Sequence, residues 1–263
     1  MLKTFSKVFS ITILLLLTSV SLQAAKVSAY FDASYASESA VKSKLKSAGF
    51  DVLSSYSPAG ISHIKVITYT CNSLKKMAGK KQRGFAAVQR AMVDSQKKTV
   101  RVTNPEYWLK AFLQGDYQAG SEKAAMTKLS KAFGKLTGSK DALKESNLDD
   151  YHFMFGMPYY KDMIELGKGN VNPADKLYEV KLANGSTLIG VKMSKATEGF
   201  VEKIGTENAI LLPYTILIEN GKAYALHAKY YLAISYPLLT MGQFMTISST
   251  PGKIEDNLKK IVK

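Results

Sequence analysis

The stretch YTILIENGKAYALH, residues 214–227, decides the fold class. Two runs rich in β-branched and aromatic residues flank Asn220-Gly221. That pair suits a two-residue type I′ turn, whose central positions both need positive φ. Such a turn sets Ile218 opposite Ala223 and Leu217 opposite Tyr224. Carried outward, the same register sets Tyr214 opposite His227, on a face shared with Ile216 and Ala225. Asn184-Gly185 signals another hairpin. Hairpins mixed with helical stretches, without a regular strand–helix–strand series, predict an α+β fold built as a two-layer helix/sheet sandwich.

Working outward, Ser37 precedes ESAVKSKLKSAGF, whose Ala40, Val41, Leu45 and Ala48 form a helical stripe closed by Gly49. Residues 50–56 and 64–69 read as strands. Residues 84–94, GFAAVQRAMVD, read as an amphipathic helix, and 99–103 as a short strand entering Asn104-Pro105 and the helix EYWLKAFLQ. Residues 121–146 read as mostly helical, including DALKES. The tail STPGKIEDNLKKIVK opens a helix at Ser249/Thr250, with Pro251 at its first position.

There is an internal echo. TVRVTNPEYWLKAF and HFMFGMPYYKDMI both read as strand, proline turn and helix, and aligning Pro105 with Pro158 sets Tyr107 on Tyr160. The chain therefore divides into a segment 1–24, an N-terminal α+β half over 25–146 and a C-terminal α+β half over 147–263. The halves are either two related units or parts of one compact domain.

Residues 1–24 have the order of a cleaved secretory signal: Lys3 and Lys7, then an apolar run over 11–17 with Val20, then Ala24 and Ala25. The run is short of the roughly 20 residues a membrane helix needs. The apolar stretch over 223–241 is interrupted by His227, Lys229 and Pro237, so no transmembrane segment is expected after cleavage. The expected compartment is the periplasm. The formal charge of +15 is dispersed over 42–46, 75–83, 97–101 and the C-terminus. Dispersed charge marks a solvated surface, so no nucleic-acid partner is expected, while peripheral contact with an anionic envelope fits. Cys71 is the single cysteine, read as a buried, inert thiol at a strand end.

Phe155-Gly156-x-Pro158 followed by Met163, and Leu212-Pro213 opening a strand–Gly–strand hairpin, resemble domain-of-unknown-function family three hundred and two over residues 151–263. The resemblance implies a small two-layer α+β domain and no activity. The family's usual Asn before the proline is Met157 in this chain. The whole chain also resembles exported bacterial proteins, which implies a compartment.

A strand over 151–155 would place His152 and Met154 on one face, toward Met157, and Phe153 and Phe155 on the other. Thioether and imidazole suit Cu(I), and Met241 and Met245 stand one helical turn apart. A Tyr214–His227 pair could bind a ligand, relay a proton or satisfy itself in the core. Helices starting at Pro105 and Pro158 would point free N–H groups at a shared rim lined by Tyr107 and Tyr160, fit for a polar or anionic ligand. The candidate ligand-binding residues are thus His152, Met154, Met157, Tyr160, Tyr107, Tyr214 and His227. The motifs H-E-x-x-H, G-x-S-x-G, the P-loop, the dinucleotide glycine fingerprint and C-x-x-C do not occur, and no cofactor is indicated. The expectation is an exported binding protein for a small ligand or a protein partner. Alternatives are a copper or soft-metal handling protein, and a hydrolase or transferase using His152, His227 or Tyr214. Mass spectrometry of the natively exported protein is expected to find a first residue at Ala25 or Lys26, and an intact Met1 would refute cleavage.

Overall fold

The computed structural model describes residues 25–263, so the expected signal segment lies outside the described residues. The N-terminal half supplies strands β1 (Lys26–Ser28), β2 (Tyr30–Ala33), β3 (Asp51–Tyr56), β4 (Ile64–Thr70), β5 (Gln89–Asp94), β6 (Thr99–Thr103), β7 (Thr137–Gly138) and β8 (Ala142–Lys144). Its helices are α1 (Glu38–Ser47), α2 (Asn72–Ala78), α3 (Pro105–Leu113) and α4 (Lys123–Phe133). The C-terminal half supplies β9 (Ile164–Lys168), β10 (Lys176–Lys181), β11 (Thr187–Val191), β12 (Tyr214–Glu219) and β13 (Lys222–Ala225). With them come α5 (Lys195–Glu198), α6 (Phe200–Ile204), α7 (Ala228–Ser235), α8 (Met241–Thr246) and α9 (Thr250–Ile261). The fold is an α+β sandwich, as the hairpins predict.

Among the described residues these strands form three antiparallel sheets: β3-β4-β5-β6-β2-β7, β10-β11-β12-β13-β9 and the pair β1-β8. The two larger sheets trace the same path. An opening strand (β2 or β9) is followed by a four-stranded meander, and the opening strand closes beside the last strand of that meander. A helical excursion interrupts each meander at its middle, α2 in one half and α5 with α6 in the other. Each excursion ends in a 3-10 turn, Gly84–Ala87 or Thr206–Leu211, that enters the next strand. Each sheet is followed by a helix, α3 or α7. The first 3-10 turn packs on β11 and β12, and the second on β4 and β5, so each half presses its turn onto the other's meander.

The helices that follow the sheets interlock in the same reciprocal way. Asn104 caps α3 by accepting from the Glu106 N–H at 3.0 Å, and His227 caps α7 by accepting from the Lys229 N–H through Nδ1 at 3.2 Å. Three residues past each cap stands a tyrosine. The Tyr107 hydroxyl donates to the Ile234 carbonyl at 2.6 Å, and the Tyr230 hydroxyl donates to the Ala111 carbonyl at 3.4 Å. Ile234 and Ala111 occupy equivalent places in the two helices, so the exchange obeys a local two-fold relation. Trp108 and Tyr231, also equivalent, meet with ring centroids 6.5 Å apart.

This relation corrects the echo read from sequence. The counterpart of Pro105 is Ala228, not Pro158. Residues 151–155 form no strand, and Pro158 is followed by a turn and β9 rather than by a helix. Phe155 is 100 % exposed and Gly156 has φ +78°, so the segment neither joins a ladder nor buries a face. Residues 84–94 are the 3-10 turn and β5, not a helix. β5 lies between β4 and β6 and is buried on both faces, which erases the alternation that marks a half-buried strand. DALKES forms β8 and a 3-10 turn at Glu145–Asn147.

The hairpin register is as expected for Leu217↔Tyr224, Ile218↔Ala223 and Glu219↔Lys222, across a turn with Asn220 at φ 52° and Gly221 at φ 75°. It does not extend to Tyr214 and His227. Tyr214 pairs with Val191 on the other side of β12, while the chain leaves β13 at Ala225 to start α7. Ser37 caps α1 as expected, accepting from the Ala40 N–H at 3.3 Å, and Gly49 follows that helix at φ +86°. Cys71 is buried, with Sγ 3.1 Å from Ser73 Oγ.

The two reciprocal bonds differ in length, and their energies should differ too. Tyr107→Phe is expected to cost about 1–2 kcal/mol in urea unfolding, because it orphans a buried carbonyl. Tyr230→Phe should cost less, its bond being at the outer limit of hydrogen-bond geometry. A larger loss at Tyr230 would show that the two helices are not held as their distances imply.

Candidate functional site

A charged concavity lies where the two halves meet, and Arg101 lines it. Antiparallel pairing of β2 with β6 sets Asp32 directly opposite Arg101. The guanidinium donates through Nε to Asp32 Oδ1 at 3.0 Å and through Nη1 to Asp141 Oδ2 at 3.4 Å. It lies over the Tyr30 ring, 5.6 Å from the centroid. From the other half come Glu207 and Asn208 of the 3-10 turn, Tyr236 after α7, and Leu238, Leu239 and Gln243. Together they enclose about 430 Å³, within the range of roughly 300–1,000 Å³ usual for small-molecule sites.

A second hollow of about 510 Å³ shares Asp32, Arg101 and Glu207 and continues the groove past Lys97 and Lys98. The Lys97–Glu207 ion pair at 3.2 Å bridges the halves there. Lys140 has no ion-pair partner among the described residues and faces the first hollow. Burial holds the Tyr30 and Tyr236 hydroxyls well above the usual phenol range, so both stay protonated. They donate to the Ser235 and Asn208 carbonyls at 2.8 Å each. The cleft therefore offers acceptors at Asp32 and Glu207, a cation at Lys140, amides at Asn208 and Gln243, and an apolar wall. Such groups bind and orient a polar molecule; no nucleophile stands beside a base in it.

None of the candidates read from sequence lines this cleft. Tyr107, Tyr160 and Tyr214 are buried, with hydroxyls on the Ile234, Gln82 and Leu226 carbonyls at 2.6 Å each. His227 is the α7 cap, and burial lowers its pKa. His152 stacks on Tyr159 at 4.4 Å, Met154 is 40 % exposed and Met157 is half-buried in the same loop. The shared rim of two helix N-termini does not form, since only Pro105 begins a helix. Arg101 and Asp32 had a faint signal, single charges in the strand-like runs TVRVT and YFDA. Sheet pairing alone brings them together.

No family model matches the chain, and neither a curated protein nor a solved structure matches it.

Two carboxylates clasp the seam away from the cleft. Glu219 accepts from the Gln82 N–H at 3.1 and 3.2 Å. Glu198 accepts from the Ala59 N–H at 2.7 Å and the Met193 N–H at 3.0 Å. Ala59 and Gln82 both have left-handed backbone, φ 53° and 57°, which turns their N–H groups toward the other half. Burial outweighs the two N–H bonds and pushes Glu198 up to about 7 from its ordinary 4.5. The folded state thus holds this proton more tightly than the unfolded chain. The resulting stability is complete below the unfolded pKa and is lost as pH rises through about 7. The loss is expected to be on the order of 3 kcal/mol. Urea midpoints measured from pH 4 to 8 should fall accordingly, and Glu198→Gln should flatten that part of the profile. An unchanged profile in Glu198→Gln would assign the dependence to another group.

Proposed function

We propose that the protein is an exported, periplasmic binding protein that holds a small polar ligand in the cleft between its halves. The observation that carries this reading is the cleft itself, with an unpaired Lys140 beside a preorganised Asp32–Arg101–Asp141 cluster. Preorganised charge lowers the cost of ordering a site when a ligand arrives. The hydrolase or transferase alternative has no such common place, and the copper alternative rests on the loop that holds His152, Met154 and Met157. His63, His152 and His227 stand in separate segments, and no group of three or more His, Cys, Asp or Glu among the described residues is arranged to hold a metal. No helix among the described residues is long and apolar enough to cross a membrane. What supports the resemblance to domain-of-unknown-function family three hundred and two is that Leu212-Pro213 leads directly into the β12–β13 hairpin.

A protein partner is the second reading, and a specific surface favours it. Phe155, Met154, Leu238, Met241 and Met245 are exposed, and Phe153 meets Phe244 at 5.9 Å, joining the 151–157 loop to α8. Methionine-rich apolar surface is adaptable and common at docking sites.

Thermal unfolding with a panel of amino acids, small carboxylates and sugar phosphates tests the cleft. At least one class is expected to raise the melting temperature saturably. Lys140→Ala or Asp32→Asn should weaken that binding about tenfold or more. Binding that survives both substitutions would place the site elsewhere.

A further inference from the structure

The seam holds another arginine whose surroundings differ from those of Arg101. Arg90 lies on β5, is 4 % exposed, and has one side-chain hydrogen bond, from Nη2 to the Pro213 carbonyl at 3.1 Å. It pairs with no carboxylate among the described residues, and its Nε–H has no acceptor. Tyr56 of β3 and Tyr178 of β10 are 8 % and 6 % exposed, and neither hydroxyl has a partner. Ser54, Thr68 and Arg90 stand opposite one another across β3, β4 and β5, which sets Tyr56 on the same sheet face as the Arg90 side chain, and β10, which carries Tyr178, packs on β3. Both hydroxyls are within electrostatic reach of the guanidinium, as are those of Tyr30 and Tyr231. The last two have committed their protons to the Ser235 and Leu211 carbonyls. Glu198 is within reach of Tyr56, but its oxygens are turned to the Ala59 and Met193 N–H groups. Gly190 lets the Tyr178 ring lie across β11, where a Cβ would meet the ring at 2.0 Å.

The imbalance has one sign. A buried cation with an unpartnered N–H shares this part of the seam with two buried, unpartnered hydroxyls, and the group that would satisfy all three is an acceptor carrying negative charge. Buried charges are compensated in folded proteins, and buried donors find acceptors. Water could accept these protons but would leave the charge uncompensated.

We propose that Arg90, Tyr56 and Tyr178 form a binding site for a small monovalent anion of chloride size, held between the two halves. Arg90 and Tyr56 come from the N-terminal half and Tyr178 from the C-terminal half, so the anion adds a tie across the seam. Occupancy is linked to folding: an anion that binds only the joined halves stabilises them in proportion to its saturation.

The test is thermal unfolding of the protein in sodium chloride, bromide or gluconate, with ionic strength held constant by exchange between salts. Chloride and bromide are expected to raise the melting temperature saturably, and gluconate, a much larger organic anion, is not. Tyr178→Phe removes one donor and should raise the chloride midpoint about tenfold. Arg90→Met should abolish the dependence. If that variant does not fold, the Tyr178→Phe midpoint and a bromide-soaked crystal decide, with an anomalous peak expected beside Arg90 Nε. A melting temperature unchanged when chloride replaces gluconate, a chloride midpoint unchanged in Tyr178→Phe, or only water beside Arg90 in the bromide crystal would overturn the proposal.

Discussion

Two tyrosines, each reaching across to a backbone carbonyl in the other half's helix, set the constraint on which the architecture depends. Tyr107 and Tyr230 can exchange these bonds only if α3 and α7 lie against each other at a fixed offset. That offset fixes how the two sheets face one another. It also fixes where each 3-10 turn lands on the opposite meander. Gly84 shows how close the approach is: a Cβ there would stand 2.3 Å from Leu217 Cδ1. The seam is therefore a tight, directional joint rather than a greasy contact between independent lobes.

The joint is also polar. Apolar burial by itself does not choose among similar packings, whereas hydroxyl–carbonyl bonds and left-handed N–H donors match in one arrangement. Tyr30, Tyr107, Tyr160, Tyr214, Tyr230, Tyr231 and Tyr236 each place a large apolar ring in the core and a hydroxyl on a carbonyl. Tyrosine suits this place because one end packs and the other reads direction. Where such matching is complete the seam is rigid. Where it is incomplete, around Arg90, or open to solvent, around Arg101 and Lys140, the same polarity is available to a ligand.

Parts of this were legible along the chain. Asn220-Gly221 needs only its own two residues to favour positive φ, so the hairpin and its register could be read locally. Ser37 and Gly49 bracket α1 for the same reason, since capping is a matter of a few adjacent residues. The internal echo aligns the wrong segments. Pro105 and Pro158 share a residue type, whereas the equivalent positions Asn104 and His227 share only a capping role, which two different side chains fill. β5 reads as helix in the sequence because burial on both faces removes the period that separates strand from helix. The loop over 151–155 reads as a strand because its aromatic and methionine content matches that of strands, while nothing in the fold pairs with it.

The sequence by itself determined the α+β class, the hairpin turns and the starts of α1, α3 and α9, because these depend on backbone preferences and contacts within a few residues. Tertiary structure alone decided the cleft, the clasps and the uncompensated Arg90. Asp32 meets Arg101 through sheet pairing, Glu198 meets Ala59 across 139 positions, and Arg90 meets Pro213 across 123. A charge on a strand carries no mark of the partner it will face. Only folding, by bringing distant segments into one low-dielectric seam, gives that charge an energy and so a role.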